Sequence, residues 1–138
     1  VMKNKLVDKK LDNAVNLVEK HLCPNNKLIE KEYEGAISSF GPLVVQNGPL
    51  PACALYLKTG GGSSIEKARL VAILFALIEN NDDAGVAGVN KKLKEDVNRN
   101  LLDKAITHHQ DKGEVLFQHE LLTATMTLKL TMRVFSFK

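Results

Sequence analysis

Nine consecutive apolar residues in the middle of the chain constrain its folding more than any other feature. They are Leu70–Ile78, read LVAILFALI, and they end at the polar run Glu79–Asp83. A helical membrane span needs about 20 apolar residues, so this run is too short to cross a bilayer. A helix that is apolar on every side belongs in a core. The segment therefore predicts a buried helix, Ile65–Ile78.

The other helical segments each carry apolar residues at intervals of three and four, the periodicity of a helix with one buried face. The stripes consist of Leu6, Val7, Leu11, Ala14, Val15, Val18 and Leu22, then Ile29, Tyr33, Ala36, Ile37 and Phe40, and later Leu93, Val97, Leu101, Leu102, Ala105 and Ile106 before an end near Gly113. A chain of 138 residues with 44% hydrophobic side chains has the size and the apolar content of one domain. We predict an all-α fold, a single compact bundle of about six to seven helices over residues 1–138 without a sheet.

The segment Tyr33–Lys58, read YEGAISSFGPLVVQNGPLPACALYLK, contains two short apolar helical segments that meet at Gln46–Gly48. Asn and Gly tolerate left-handed backbone, which suits the C-terminus of a helix. The two prolines that follow lack amide hydrogens and suit the first turn of the next helix, Leu50–Leu57. Gly41–Pro42 indicates either a kink or a restart within the first of the two segments.

The C-terminal segment Leu122–Val134 fits two structures. Apolar and polar residues alternate, and four of the polar ones are β-branched threonines, as in a strand. A helical stripe also fits, and it consists of Leu121, Leu122, Thr125, Leu128, Met132 and Phe135. We find no second strand candidate, and an unpaired strand would leave its backbone groups without hydrogen bonds. We therefore predict a closing helix, Leu121–Phe135.

Two loops, Gly60–Ser64 and Asp82–Gly88, are predicted to be mobile because neither contains a strong apolar anchor. Ser63 and Glu66 match a capping box at the start of the apolar helix. A helix N-terminus after glycines can bind phosphate. A P-loop, however, requires a preceding strand and a Lys next to Ser or Thr, and the sequence has neither. We interpret the first loop as a tether.

The sequence carries no catalytic motif, so we predict that the chain is not an enzyme and uses no cofactor or metal. Cys23 and Cys53 lack C-x-x-C partners, which favours a reducing, cytoplasmic setting. His108, His109 and His119 are the best metal candidates, but no cysteine or carboxylate lies at ligand spacing. We interpret these histidines as exposed residues near helix ends.

The chain is mildly basic, and its positive charge is unevenly distributed. Nineteen Lys and Arg against sixteen Asp and Glu leave a formal charge of +3, which is small for a protein that binds nucleic acid unaided. Lysines cluster within the first ten positions and at Lys91–Lys94. Each cluster fits either a solvated helix face or a set of phosphate contacts.

The segment Tyr33–Lys58 resembles the central signature of a known family, the small all-helical subunit of type III-B CRISPR RNA-silencing effectors, the Cmr complexes. In that signature a tyrosine-led helix leads through an apolar segment and an Asn-Gly-Leu turn into a second apolar helix. Here Gly48–Leu50 stands at the turn, with Pro49 inserted, and Leu55–Leu57 stands at the aromatic-led triplet. Met132–Phe135 resembles the ending of the family's closing helix, whose usual tryptophan is absent here.

The resemblance implies a non-catalytic subunit that stacks with copies of itself along guide RNA and target RNA, beside the backbone subunits of the complex. The shortness of the apolar run Leu70–Ile78 predicts no membrane association. The basic surface of the subunit would line the channel of the target strand, and the candidate RNA-binding residues are Lys9, Lys10, Lys91, Lys92, Lys94, Lys129 and Arg133. If the first and closing helices are neighbours, four of these form one stripe, unless they are solvated or paired with Glu19 and Glu120. The alternative function is a helical protein-interaction adaptor without nucleic-acid binding.

Overall fold

The structure, a computed structural model, describes residues 11–19, 22, 28–29, 31–57, 67–79 and 94–137. Six helices lie in these ranges: α1 over residues 11–19, α2 Lys31–Asn47, α3 Pro49–Leu57, α4 Lys67–Glu79, α5 Lys94–Lys112 and α6 Glu114–Met132. Two short strands, β1 Leu28–Ile29 and β2 Ser136–Phe137, accompany them. The prediction of an all-α fold is confirmed, although these two strands form one short parallel pair where no sheet was predicted.

Helix α4 lies at the centre of the bundle. Every residue of its apolar run Leu70–Ile78 is buried, and the helix contacts α2, α3, α5 and α6. Each large aliphatic or aromatic side chain that is removed from water in this way stabilises the fold by about 1.5 to 3 kcal/mol. The prediction of a buried helix is confirmed, with its described start at Lys67.

The α2–α3 corner turns at a single glycine. Gly48 has a φ of 95°, in the left-handed region. Its amide donates to the Val44 carbonyl at 2.9 Å, and its carbonyl accepts from the Ala52 amide at 3.2 Å. Gly48 thus ends one helix and begins the next, and Pro49 occupies the first position of α3, where no amide donor is needed. The predicted hinge at Gln46–Gly48 is confirmed.

Helix α2 packs antiparallel against α6. A Cβ on Gly41 would lie 4.0 Å from the side chains of Leu122 and Thr125, whereas a Cβ on Gly48 would lie 3.5 Å from Glu114. As residue numbers rise along α2, the numbers of the α6 residues that it contacts fall, so the two helices run in opposite directions. The two glycine turns at Gly48 and Gly113 consequently lie at one end of the bundle.

Helix α3 folds back onto α2 through an aromatic contact. The Tyr56 hydroxyl donates to the Ala36 carbonyl at 2.6 Å in the interior. The Tyr56 ring lies 4.8 Å from the Phe40 ring, centroid to centroid. Lys67 at the start of α4 places its Nζ 5.1 Å from the centre of the Tyr56 ring. Tyr56 therefore ties three successive helices together.

The closing helix shows why the strand-like alternation of its sequence does not produce a strand. Thr125, Thr127 and Thr131 are buried, and each hydroxyl donates to the carbonyl four residues earlier, at 2.7, 2.9 and 2.8 Å. A threonine that bonds its own helix in this way can be buried without an unsatisfied hydroxyl. The prediction of a helix is confirmed, although α6 begins at Glu114 and ends at Met132.

Two local predictions differ from the structure. Ile29 was expected to begin a helix, but Leu28–Ile29 pairs in parallel with Ser136–Phe137, and this strand pair was not anticipated because two residues carry no periodicity. Helix α2 continues through Gly41–Pro42 without a restart. Pro42 is exposed, so water can reach the carbonyl that its missing amide would have bonded. The two predicted loops and the capping box lie outside the described residues.

Replacement of Gly48 by alanine tests the hinge. An L-residue at this φ costs about 1 to 2 kcal/mol, because its Cβ crowds the following carbonyl. We expect Gly48→Ala to lower the free energy of unfolding by that amount in a urea titration.

Gly35 is the matched control, since it lies in α2 with nothing within 4 Å of an added Cβ. Gly35→Ala should raise the free energy of unfolding by about 0.5 to 1 kcal/mol. Equal effects of the two substitutions would contradict the proposed role of the hinge.

Candidate functional site

The structure describes the side chains of two of the seven candidate RNA-binding residues. Lys9, Lys10, Lys91 and Lys92 lie outside the described residues, and of Lys94 only the backbone is described, at the start of α5. Lys129 and Arg133 lie at the C-terminal end of α6. The stripe that would join them to Lys9 and Lys10 therefore stays a prediction.

Lys129 and Arg133 share one face of α6. They are four residues apart, and Arg133 keeps helical backbone angles of −68° and −19° as the C-cap, so their side chains lie one turn apart. Arg133 is exposed and Lys129 is half-buried. Within the described part of the chain neither forms an ion pair, and Glu120, one of their suggested partners, instead accepts from Lys112 at 2.7 Å. This pair of cations is available to an external anion.

Three exposed apolar residues lie on the outer surface of α6 and in the turn that follows it. Met126 and Leu130 are 64% and 44% exposed and lie one turn apart on the helix, and Val134, which is 76% exposed, follows in the turn after Met132. The partly buried Leu122 begins this row. Sequence analysis missed it, because the alternation of the segment indicates either a strand or a buried stripe. The outer face of α6 is thus apolar and basic together.

A charged cluster joins α4 to α5 at the end of the apolar run. The Glu79 carboxylate accepts from Lys104 Nζ at 2.8 Å through one oxygen and lies 3.0 Å from His108 Nε2 through the other. Burial raises the pKa of Glu79, but the hydrogen bonds and charges of Lys104 and His108 lower it by more, so the pKa is below its usual value. The cluster holds a carboxylate in its charged form at the rim of the core.

His108 also belongs to an aromatic stack. Its ring lies 5.7 Å from the rings of both Phe75 and Phe117, centroid to centroid, in stacked geometry. Its side chain is only 14% exposed. The interpretation of His108 as an exposed residue at a helix end is therefore wrong: the apolar faces of two phenylalanines and the Glu79 carboxylate fix its position between three helices. His119 is exposed, as expected, whereas His109 is half-buried with its ring edge-on to Phe117.

Other chemistry-bearing groups in the described part of the chain are engaged in packing. Cys53 is buried, and burial raises the pKa of its thiol to about 12, which disfavours the nucleophilic thiolate at neutral pH. Phe135 is partly buried and packs against the core. Among the described side chains no group of three or more His, Cys, Asp or Glu residues is placed to hold a metal ion. None of the described helices has the length and apolarity of a membrane span.

Comparison of the chain with models of protein families, with curated proteins and with solved structures finds no match.

Substitution of Glu79 by glutamine tests the cluster. A carboxyl group with a lowered pKa stabilises the folded state at pH values above its unfolded pKa of about 4.3, and this contribution is lost as the pH falls through the folded value. We expect Glu79→Gln to cost about 1 kcal/mol at pH 7, as for other half-exposed ion pairs. The difference from the parent chain should shrink towards zero below about pH 4.

Urea titrations across this pH range provide the measurement, and Asp103→Asn is the control. Asp103 is an exposed carboxylate on α5, beside Lys104 in sequence, so its neutralisation should change the free energy of unfolding by less than about 0.5 kcal/mol at any pH. A deficit for Glu79→Gln that stays constant down to about pH 3 would contradict the role assigned to its charge.

Proposed function

We propose that this chain is the small, non-catalytic subunit of a type III-B CRISPR (Cmr) ribonucleoprotein effector in a prokaryotic cytoplasm. In this role it stacks with further copies of itself and with backbone subunits along guide RNA and target RNA. It contributes basic surface to the channel of the target strand during antiviral RNA silencing.

The observation that carries the proposal is the conformation of the signature segment. Residues 33–57 form two apolar helices that turn at Gly48, with Tyr33 buried at the start and Tyr56 buried near the end. This is the arrangement that the resemblance to the Cmr small subunit predicts for a helix–Asn-Gly–helix motif. The antiparallel packing of α2 on the closing helix α6 further supports it, because both parts of the resemblance then belong to one body.

The mechanism requires only binding and positioning. A bundle built around the buried helix α4 is a rigid spacer, and the seven candidate cations would neutralise phosphates of the bound strand. Arg and Lys that contact phosphate release counterions, so affinity falls as salt rises. Base pairing with the guide would supply the sequence specificity, and this subunit would supply none of its own.

The alternative, a protein-interaction adaptor without nucleic-acid binding, is favoured by one observation. The exposed row Met126, Leu130 and Val134 is apolar, and an apolar row gives no advantage in contact with phosphates. The two functions make different predictions for RNA. The Cmr subunit binds RNA through the candidate cations, with an affinity that falls as the salt concentration rises, and the adaptor does not bind RNA.

The discriminating experiment measures the affinity of the purified chain for a labelled single-stranded RNA at several salt concentrations. If the proposal holds, the logarithm of the association constant falls linearly with the logarithm of the salt concentration, by about 0.7 per phosphate neutralised. Charge reversal to glutamate is made separately in Lys9 with Lys10, in Lys91 with Lys92 and Lys94, and in Lys129 with Arg133. The slope should decrease by about 0.7 for each phosphate that a variant no longer neutralises.

The control variant reverses two exposed cations outside the candidate set, Lys31 on α2 and Arg99 on α5. It makes the same change in net charge as either two-residue set, so it separates a local phosphate contact from a general charge effect. Equal slopes for the parent chain and all three candidate variants would leave the adaptor as the function.

A further inference from the structure

The outer face of α6 presents a short apolar ridge. Met126 and Leu130 lie four residues apart in the helix, and side chains at this interval form one of the two kinds of ridge by which helices pack into each other's grooves. Leu122, one turn earlier, is partly buried against the core, and Val134 follows in the turn after the helix ends at Met132. Met126, Leu130 and Val134 are 44% to 76% exposed, so none of the described helices covers them. Isolated exposed apolar residues are common in proteins, whereas adjacent ones with a polar border are the arrangement found at contact surfaces.

Along the sequence of this ridge the charge has a single sign. Lys129 and Arg133 border it, and the sequence from residue 121 to residue 138 contains no Asp or Glu. The nearest acidic residue of α6, Glu120, is engaged by Lys112. The ridge therefore carries two cations without a described acidic partner.

We propose that the outer face of α6, defined by Met126, Leu130, Val134, Lys129 and Arg133, docks an amphipathic helix of a different polypeptide. The partner helix would present an apolar stripe to the ridge and Asp or Glu residues to the two cations. Met and Arg are enriched at protein–protein interfaces, whereas Lys is depleted, and a border of opposite charge fixes the register of two helices.

The charges argue against a second copy of this chain as the occupant. Two copies that packed ridge to ridge would bring four cations together without an intervening acid, and juxtaposed like charges disfavour association. The apolar row argues against RNA, because phosphates would leave Met126 and Leu130 without an apolar contact. The inference goes beyond the proposed function, since it applies equally to an adaptor. It differs from the proposed function in one respect, since Lys129 and Arg133 contact the partner helix in place of phosphates and the RNA contacts fall to the other five candidates, Lys9, Lys10, Lys91, Lys92 and Lys94.

The test uses two labelled synthetic peptides of about 18 residues, the length of five helical turns. Both carry leucines at helical spacing, flanked by glutamates in one peptide and by lysines in the other, and fluorescence anisotropy measures their binding to the full chain. We expect the Leu/Glu peptide to bind about tenfold more tightly than the Leu/Lys peptide, the effect of about 1.4 kcal/mol. Lys129→Glu with Arg133→Glu should reverse this preference.

Met126→Glu with Leu130→Glu should weaken binding of the Leu/Glu peptide at least about tenfold, as for residues at the centre of an interface. The matched control is Val45→Glu with Leu55→Glu, which changes two residues that are 60% and 55% exposed on other helices and should leave the affinity unchanged. Circular dichroism verifies that each variant is folded. If the glutamate pair at 126 and 130 unfolds the chain, the milder Met126→Gln with Leu130→Gln takes its place.

Four results would overturn the inference. The first two are the absence of binding of the Leu/Glu peptide and equal affinity for the two peptides. The third is self-association of the parent chain in sedimentation experiments that Met126→Glu with Leu130→Glu abolishes, which would make a second copy the occupant. The fourth is a loss of RNA affinity in Lys129→Glu with Arg133→Glu, or in Met126→Glu with Leu130→Glu, that the charge-matched controls Lys31→Glu with Arg99→Glu and Val45→Glu with Leu55→Glu do not show.

The salt slopes of the variants at Lys9 with Lys10 and at Lys91 with Lys92 and Lys94 test the proposed function without involving this face of α6. Failure of this inference and failure of the proposed function therefore give different results.

Discussion

The burial of α4 is the constraint on which the rest of the structure depends. A helix that is apolar on every side is stable in water only if other elements surround it, and Leu70–Ile78 leaves no polar face. Helices α2, α3, α5 and α6 all contact it. Each of these needs only one apolar stripe, because α4 provides a common surface for all of them. Phe75 extends this core outward through its contacts with Phe117 and His108.

The connections between the helices follow from this arrangement. The turn at Gly48 and the turn at Gly113 both use left-handed glycine backbone, and the packing of Gly48 near Glu114 brings them together. At the opposite end the chain before α2 and the chain after α6 meet in the β1–β2 pair. Helix α6 is therefore held at both ends, and its exposed residues Met126 and Leu130 lie on a part of its surface that none of the described helices covers.

Much of the fold could be predicted from the sequence, because a helix with one buried face has apolar residues at intervals of three and four. The buried run of α4 and the hinge at Gly48 were both predicted correctly. The α6 alternation was ambiguous by periodicity alone and was decided by the lack of a pairing strand; the hydroxyl bonds of Thr125, Thr127 and Thr131 explain how the helix accommodates it. The β1–β2 pair could not be predicted, since two residues show no period.

The candidate site was less accessible to sequence analysis. The four-residue spacing of Met126, Leu130 and Val134 was visible, but which of several apolar rows faces the core depends on tertiary packing. The environment of His108 depends on Glu79, 29 residues away, and on aromatic residues of two other helices. No local pattern reports contacts of that kind. A cluster of lysines also looks the same in the sequence whether its side chains contact phosphate or only water. Charge clusters alone therefore do not show which lysines bind RNA.

The measurement that tests the proposed function most directly is purification of the tagged chain from the organism that encodes it, with and without ribonuclease. The associated proteins and RNA are then identified by mass spectrometry and sequencing. The Cmr assignment predicts several copies of this chain together with backbone subunits and a guide RNA, in an assembly that elutes as one species. Recovery of the chain with protein partners but without a guide RNA, in an assembly unchanged by ribonuclease, would contradict it.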